Sequence, residues 1–426
     1  MSHLLDALYL ALLPLVLLIR RKRRSSLWPR ILGRTGIPVA DRGTIWFHGV
    51  SVGEIHLLRG LIARFRDRFP ECEVVVSSTT EAGFGEAQRC FPEAHVIRWP
   101  LDFSWAVARA LREVDPRLIV LAESEWWPNF LLAARRARIP VIAINVRMSP
   151  RSARRYRRFR PITRRWLNLV SHFAVQTGEY ASQLEDLGVP AERITLTGSV
   201  KYDGAKTDRN NAKTLELRRL LHIHESDLIW IAGSTQSPEE EIALAIFRKL
   251  RPEFPKLRLV LVPRQPDRFD EVAEILRRSG VDFARRSESR LLNRRVILLD
   301  TLGELGAAWG LADIAFVGGS LDGQRGGQNM IEPAAYGAAV VFGPHTWNFK
   351  DTVRRLLDAD GAIEVRDATE LEKTIRRLLS NEDARNELGK NALGLVLEQQ
   401  GATERTLDLI DNHTASILAP PSRIAS

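Results

Sequence analysis

Trp46-Phe47-His48-Gly49-Val50-Ser51-Val52-Gly53-Glu54 is the stretch on which the reading of this chain turns. A short apolar strand, Thr44–His48, runs into a turn of small residues and delivers one carboxylate. The next residues, Ile55-His56-Leu57-Leu58-Arg59-Gly60-Leu61-Ile62-Ala63-Arg64-Phe65, are apolar at helical spacing, so Glu54 stands near the start of a helix. A strand-turn-helix unit sets that carboxylate at the carboxyl edge of a parallel sheet, where open α/β folds bind ligands. Two readings of Glu54 stand at this point, a catalytic base and a helix-capping glutamate favoured by the helix dipole.

Outward from this unit the chain alternates strand and helix. Strands are predicted at Thr44–His48, Val74–Ser78, His95–Arg98, Leu118–Ala122, Val141–Asn145 and Phe173–Gln176, with helix-length stretches between them, which predicts a doubly wound parallel sheet. The pattern weakens through the polar, basic stretch 204–220 and resumes with strands at Leu228–Ala232, Arg258–Val262, Val296–Leu299, Ile314–Val317, Ala339–Phe342 and Ala362–Val365. The expected division is a membrane anchor with its basic flank at 1–25, one domain at 26–203, a linker at 204–220 and a second domain at 221–426. A length of 426 residues with 45% apolar composition accommodates two such cores.

The net charge of +10 calls for a polyanionic neighbour. The only cysteines are Cys72 and Cys90, in no zinc or disulfide pattern, which fits a reducing compartment and implies no metal centre. Residues 4–19 are nearly all apolar and Arg20-Arg21-Lys22-Arg23-Arg24 follows at once. The segment is shorter than the roughly 20 residues of a comfortable span and contains Asp6 and Pro14. It reads as a tilted span or an interfacial helix, with the basic cluster and the globular body on the cytoplasmic side. A buried helix of a soluble fold is the alternative.

The second half carries a candidate phosphate site. Phe316-Val317-Gly318-Gly319-Ser320-Leu321 is a buried strand entering a diglycine turn, and a second glycine-rich loop, 323–329, precedes a helix. Glycine lets an anion approach backbone N–H groups, and a helix start adds positive potential. Glu332, in the first turn of that helix, suits a pair of ribose hydroxyls. Pro263-Arg264 and Gly303-Glu304-Leu305 follow two further strands at the same sheet edge, and Arg264 offers a guanidinium to a phosphate. Asp358-Ala359-Asp360 superficially matches a metal-binding motif but ends a helix, and is discounted.

Taken in order, several stretches resemble the 3-deoxy-D-manno-octulosonic acid (Kdo) transferases of lipid A and lipopolysaccharide assembly. They are Val50–Glu54, Glu123-Ser124-Glu125-Trp126-Trp127-Pro128-Asn129, Asn145–Ser149, Thr197–Asp203, Val262–Arg264, Gly318–Leu321 and Gly343–Asp351. The resemblance implies a GT-B fold, two Rossmann-like domains facing across a cleft, with CMP-Kdo held by the second and a phosphorylated lipid A precursor (lipid IVA) by the first. It implies that Glu54 is the general base of an inverting transfer, that Glu123 and Lys201 stabilise the transition state, and that no metal or other cofactor takes part. Pro263, Arg264, Gly303, Glu304, Leu305, Asn329, Met330, Ile331 and Glu332 match CMP-contacting positions, with Gly319 and Ser320 beside them. Gln328, Met330 and the longer loop Asp322-Gly323-Gln324 depart from the family pattern. His48 and His56, flanking Glu54, read as local hydrogen-bond partners.

Eight arginines between Arg151 and Arg165 occur with no acidic residue among them. With Arg20–Arg24 they fit the anionic inner-membrane surface and the phosphates of a lipid acceptor, at about 1 kcal/mol for each basic residue near the surface. No nucleic-acid-binding module accompanies them. The alternatives to Kdo transfer are another GT-B transferase or an epimerase using a UDP-sugar, and a non-catalytic membrane- or anion-binding protein.

Overall fold

The computed structural model describes residues 5–7, 9–11, 27–37, 43–288 and 293–418. The chain divides into two compact units, one of residues 1–203 with 399–426 and one of residues 204–398. Each is built on a seven-stranded sheet whose strand pairings are all parallel.

In the first unit the strands are β1 (Thr44–His48), β2 (Glu73–Ser78), β3 (His95–Arg98), β4 (Pro116–Ala122), β5 (Val141–Val146), β6 (His172–Val175) and β7 (Ile194–Leu196). Their order is β3-β2-β1-β4-β5-β6-β7. The chain winds outward from β1 to β3, then returns to the other side of β1 with β4. The loops leaving β1 and β4 therefore diverge at the switch point, the ligand-binding position of such sheets. The apolar spacing seen in sequence packs the helix Val52–Arg68 onto the sheet. Ile55, Leu58, Leu61, Ile62 and Phe65 are all buried, each such side chain contributing about 1.5–3 kcal/mol.

The second unit repeats the design with β8 (Leu228–Thr235), β9 (Leu257–Pro263), β10 (Phe283–Arg285), β11 (Val296–Leu298), β12 (Ile314–Val317), β13 (Ala339–Phe342) and β14 (Ala362–Glu364), ordered β10-β11-β9-β8-β12-β13-β14. Strands β7 and β10 have no counterpart among the predicted strands. Each is three residues long and partly exposed at a sheet edge, too short to show a periodic pattern.

Two expected boundaries are corrected. Residues 204–220 belong to the second unit rather than to a linker. Arg209 donates to the carbonyls of Tyr336 (2.6 Å) and Ala312 (2.9 Å), and the helix Ala212–Leu220 follows, its Thr214 hydroxyl donating to Ala307 O at 3.1 Å. The carboxyl-terminal helix Ala402–Leu418 belongs to the first unit, not to a domain running to 426. Asp203 receives the N–H groups of Ala402 (3.2 Å) and Thr403 (2.5 Å), and Arg68 pairs with Glu404, Asp408 and Asp411.

No helix among the described residues is long and apolar enough to cross a membrane. Residues 5–7 and 9–11 are helical and held to the first unit by their polar groups. Asp6 is buried and accepts from Ser104 N (2.8 Å) and Asn129 Nδ2 (3.1 Å), and the Tyr9 hydroxyl donates to Asp102 at 3.2 Å. The residue that argued against a comfortable span is thus a docking residue. The remainder of the apolar segment and Arg20–Arg24 lie outside the described residues.

Candidate active site

Glu54 occupies the third position of its helix, and both its oxygens are engaged. Oε2 accepts the Val50 N–H at 2.7 Å and Oε1 the Ser51 hydroxyl at 3.0 Å. Ser51, the N-cap, makes no side-chain capping bond of its own, and Glu54 accepts the N–H of the residue before the cap rather than the N-cap N–H of a capping box. It caps its helix start only in this looser sense, tying it to the preceding turn, which orients the carboxylate without exhausting it, since each oxygen has two lone pairs. Burial raises the Glu54 pKa, with nearby Glu123 adding to the rise and the Val50 N–H opposing it.

Glu123 and Glu125 stand on the turn that leaves β4, across the switch point from Glu54. Glu123 adopts φ 59, a left-handed conformation that costs a non-glycine residue about 1 kcal/mol or more and gathers at functional sites. Its carboxylate accepts from Arg147 Nε at 3.0 Å and pairs with Arg147 Nη2 at 3.0 Å, a two-pronged contact from the loop after β5. Asn145, at the end of β5, is also left-handed at φ 52 and fully buried, with neither amide atom hydrogen-bonded. Glu125 is pushed up to about 7, chiefly by burial and next by the charge of Glu54. Two carboxylates of raised pKa, Glu54 and Glu125, thus stand beside a third, Glu123, that is paired with a guanidinium.

Lys201 lies exposed on the single turn Val200–Tyr202, beyond β7. It follows a strand of the same sheet edge, yet the described residues show no ion pair from it to Glu54 or Glu123. His48 is core, fully buried, stacked on Trp99 at 3.7 Å between centroids and bonded to Ser77 Oγ at 2.9 Å. Burial lowers its pKa to about 3, so it is neutral at physiological pH.

In the second unit the diglycine turn is not an open phosphate cradle. Glu239, fully buried, fills it: Oε2 accepts the N–H groups of Gly319 (2.7 Å) and Gln236 (2.9 Å), and Oε1 those of Ser320 (3.0 Å) and Leu321 (3.1 Å). Gly318 is required because a Cβ there would meet Thr235 Cα at 2.6 Å and Glu239 Oε2 at 2.7 Å, and Gly319 has φ +66. The glycines were read correctly as making room for an anion, but the anion is the protein's own side chain. This corrects Gly319 and Ser320 as backbone contacts to phosphate.

The other expected residues do gather. Asn329 Nδ2 donates to Glu332 Oε1 at 3.0 Å, and Arg264 Nε to Gln328 at 3.2 Å. Burial raises the Glu332 pKa, while the Asn329 bond and the charge of Arg264 lower it. The turn through Gly303, Glu304 and Leu305 lies alongside, since a Cβ on Gly306 would sit 3.8 Å from Glu332 Oε2. Glu304 itself is committed to Arg286 (3.0 Å) and Thr301. Pro263, Met330 and Ile331 are buried, so their side chains belong to the core. Exposed Arg264 and half-buried Glu332 supply a cation and a carboxylate side by side, the pair that a nucleotide's phosphate and ribose require.

A family model of 3-deoxy-D-manno-octulosonic acid transferases matches residues 24–204. A 3-deoxy-D-manno-octulosonic acid transferase of Haemophilus influenzae is 35% identical over 370 residues, covering 86% of this chain and 86% of the relative. This chain belongs to the Kdo transferase family. One from Bordetella pertussis is 32% identical over 411 residues, covering 92% and 94%. Among solved structures, the UDP-GlcNAc 2-epimerase of Neisseria meningitidis matches with a TM-score of 0.54 at 13% identity, over 87% of this chain and all of that one. At that identity the likeness concerns fold alone, two parallel-sheet units of the GT-B kind. This Kdo transferase is thus a glycosyltransferase whose first-unit switch point bears Glu54, Glu123, Glu125 and Arg147. Glu125, like Glu123, reads in sequence as either a functional carboxylate or a cap for the next helix, whereas Arg147 lies within a quoted motif without a role, because nothing in the sequence pairs residue 123 with residue 147.

Proposed function

We propose that this Kdo transferase uses CMP-Kdo as donor and a phosphorylated lipid A precursor as acceptor, in an inverting reaction with Glu54 as base. Glu54 takes the proton of the acceptor hydroxyl as its oxygen bonds to the anomeric carbon of Kdo. The bond from that carbon to the phosphate oxygen breaks, and CMP leaves with the electron pair. The Glu123–Arg147 pair and Lys201 supply fixed charges near the developing oxocarbenium and phosphate charge. Arg264, Asn329 and Glu332 hold the CMP moiety, with Pro263, Met330 and Ile331 contributing main chain. No metal or other cofactor is part of this reading.

The observation that carries the proposal is a half-buried, anchored carboxylate of raised pKa at the switch point of a family member's first unit. A base needs that elevation to accept a proton near neutral pH.

The same reading sets the protein on the cytoplasmic face of the inner membrane. Its support is the arginine-rich pair of helices Pro150–Arg158 and Arg160–Leu167, which expose Phe159 and Ile162, and the exposed Trp28, Leu32 and Trp105. Basic and apolar side chains together suit an anionic bilayer surface. Incubation of the purified chain with CMP-Kdo and a tetra-acylated lipid A precursor is expected to yield a lipid one or more Kdo masses heavier by mass spectrometry. Release of no CMP, or stabilisation by UDP and not CMP in a thermal-shift assay, would overturn it.

A further inference from the structure

Away from the carboxylates of the switch point, three metal-ligating side chains meet on the outer face of the first unit. His56 comes from the helix Val52–Arg68, and Glu86 and Cys90 are one turn apart on the helix Glu81–Cys90 that packs against it. His56 Nε2 lies 3.4 Å from Glu86 Oε1, Cys90 Sγ lies 3.4 Å from the same oxygen, and all three ligand atoms fall within 4.8 Å of one another. A tetrahedral ion with bonds of about 2.0–2.3 Å needs its ligand atoms roughly 3.3–3.8 Å apart. Two of the three edges already have that length, and the third closes by a rotation of the exposed imidazole.

We propose that His56, Glu86 and Cys90 form a three-ligand site for a borderline transition-metal dication such as Zn2+, pinning these two helices together outside the transfer reaction. The donor set selects the ion. Thiolate and imidazole favour Zn2+ over Mg2+ or Ca2+, which prefer all-oxygen shells. Glu86 is oriented for one-oxygen ligation because its Oε2 is held by Arg89, leaving Oε1 toward the imidazole and the thiol. Such outer partners are what fix a ligating carboxylate.

Binding displaces the proton of the Cys90 thiol, the sulfur bonding to the ion as thiolate and His56 through a lone pair of its imidazole. Burial and Glu86 hold the thiol above its ordinary value, while Arg59 and Arg89 favour the thiolate. A dication deprotonates a coordinating thiol outright. The neutralised set of one imidazole, one carboxylate, one thiolate and one dication leaves a fourth position for water.

Cobalt(II), which replaces zinc in such sites, is the probe. Cys72 is buried and outside the cluster, so any thiolate-to-cobalt charge-transfer absorption of the folded full-length chain reports Cys90. One equivalent of Co2+ is expected to give that band, Zn2+ to bleach it, and Zn2+ to raise the Tm of the wild type but not of Cys90→Ser. His56→Ala and Cys90→Ser are each expected to weaken Zn2+ binding by more than the roughly 10–100-fold that loss of an outer partner costs. Both side chains are partly exposed, so these variants keep their metal-free Tm. Absence of the band, or Zn2+ affinity unchanged in both variants, would overturn the site even if Glu86→Gln failed to fold.

Discussion

Arg147 Nε reaches Glu123 Oε2 at 3.0 Å, from the loop after β5 to the turn after β4, and so ties the two strand ends beside Glu54. Glu123 is left-handed at φ 59, a strained conformation that persists because its surroundings, the Arg147 contact among them, hold it. The pair sets a fixed guanidinium beside two other carboxylates, Glu54 and Glu125, whose pKa values are raised. Arg147→Ala is expected to lower kcat by tenfold or more and to move Tm little, since Arg147 is half exposed. Arg147→Lys restores the charge but not the two-pronged geometry, and should recover only part of the rate. Steady-state kinetics of CMP release on the two variants decides the point.

The catalytic duty proposed for Glu54 and its capping duty are separable. Glu54→Gln leaves an amide oxygen able to accept the Val50 N–H, but it cannot take a proton at neutral pH. Loss of a general base is expected to cost about 10²–10⁴ in kcat, and a weakened cap about 0.5–2 kcal/mol in stability. CMP affinity, measured by calorimetry, should not change. A variant that keeps wild-type turnover would leave Glu54 as a cap alone.

Legibility divides along physical lines. The strands are apolar runs bounded by turns, and the starts of β1, β3, β5, β8, β11, β12, β13 and β14 fall where the pattern sets them. What a single chain does not display is pairing at a distance. Glu239 was invisible as the occupant of the diglycine turn because it lies 80 residues from Gly319 and opens a helix with two other glutamates, an ordinary helix-dipole pattern. Asp203 as the cap of a helix beginning at 402 was hidden for the same reason. Arg264 and Glu332 could be singled out because each follows a strand at the carboxyl edge, a position that topology brings together, whereas Asn329 was singled out only through the family resemblance.

Glu239 is expected to be among the most sensitive positions of the second unit. Glu239→Ala strips four buried N–H groups of their acceptor, at about 1–3 kcal/mol for each donor left unsatisfied. Water entering the vacated space offsets part of this, so a loss of several kcal/mol is expected in urea unfolding. Glu239→Gln is nearly as harmful, since its NH2 group would face N–H donors. Unchanged stability in both variants would reopen the turn as a site for an external anion.

Glu332 and Arg264 are expected to separate by nucleotide part. Glu332→Gln loses acceptor strength toward hydroxyls, and should weaken CMP while leaving inorganic phosphate as an inhibitor unaffected. Arg264→Ala should weaken both and flatten the salt dependence of CMP binding, because it removes a phosphate contact. Calorimetric titrations at two salt concentrations check the pair. Equal losses with both ligands in Glu332→Gln would remove its ribose role.

The pH behaviour of the first unit follows from Glu125, pushed up to about 7 by burial first and by Glu54 next. An unfolded glutamate titrates near 4.5, so between about 4.5 and 7 the folded state holds more protons than the unfolded one. Stability contributed by this group therefore falls as pH rises through that window. Glu125→Gln should remove the fall, leaving a flatter profile of urea midpoint against pH between 5 and 7. The same change takes a negative charge away from Glu54, so the acidic limb of kcat/KM is expected to move to lower pH. The carboxylates titrate as a coupled set, and both shifts must appear in one variant. A flattened stability profile with an unmoved acidic limb would mean that Glu125 is a buried acid of the fold and that Glu54 is not the group whose ionisation turns the enzyme on.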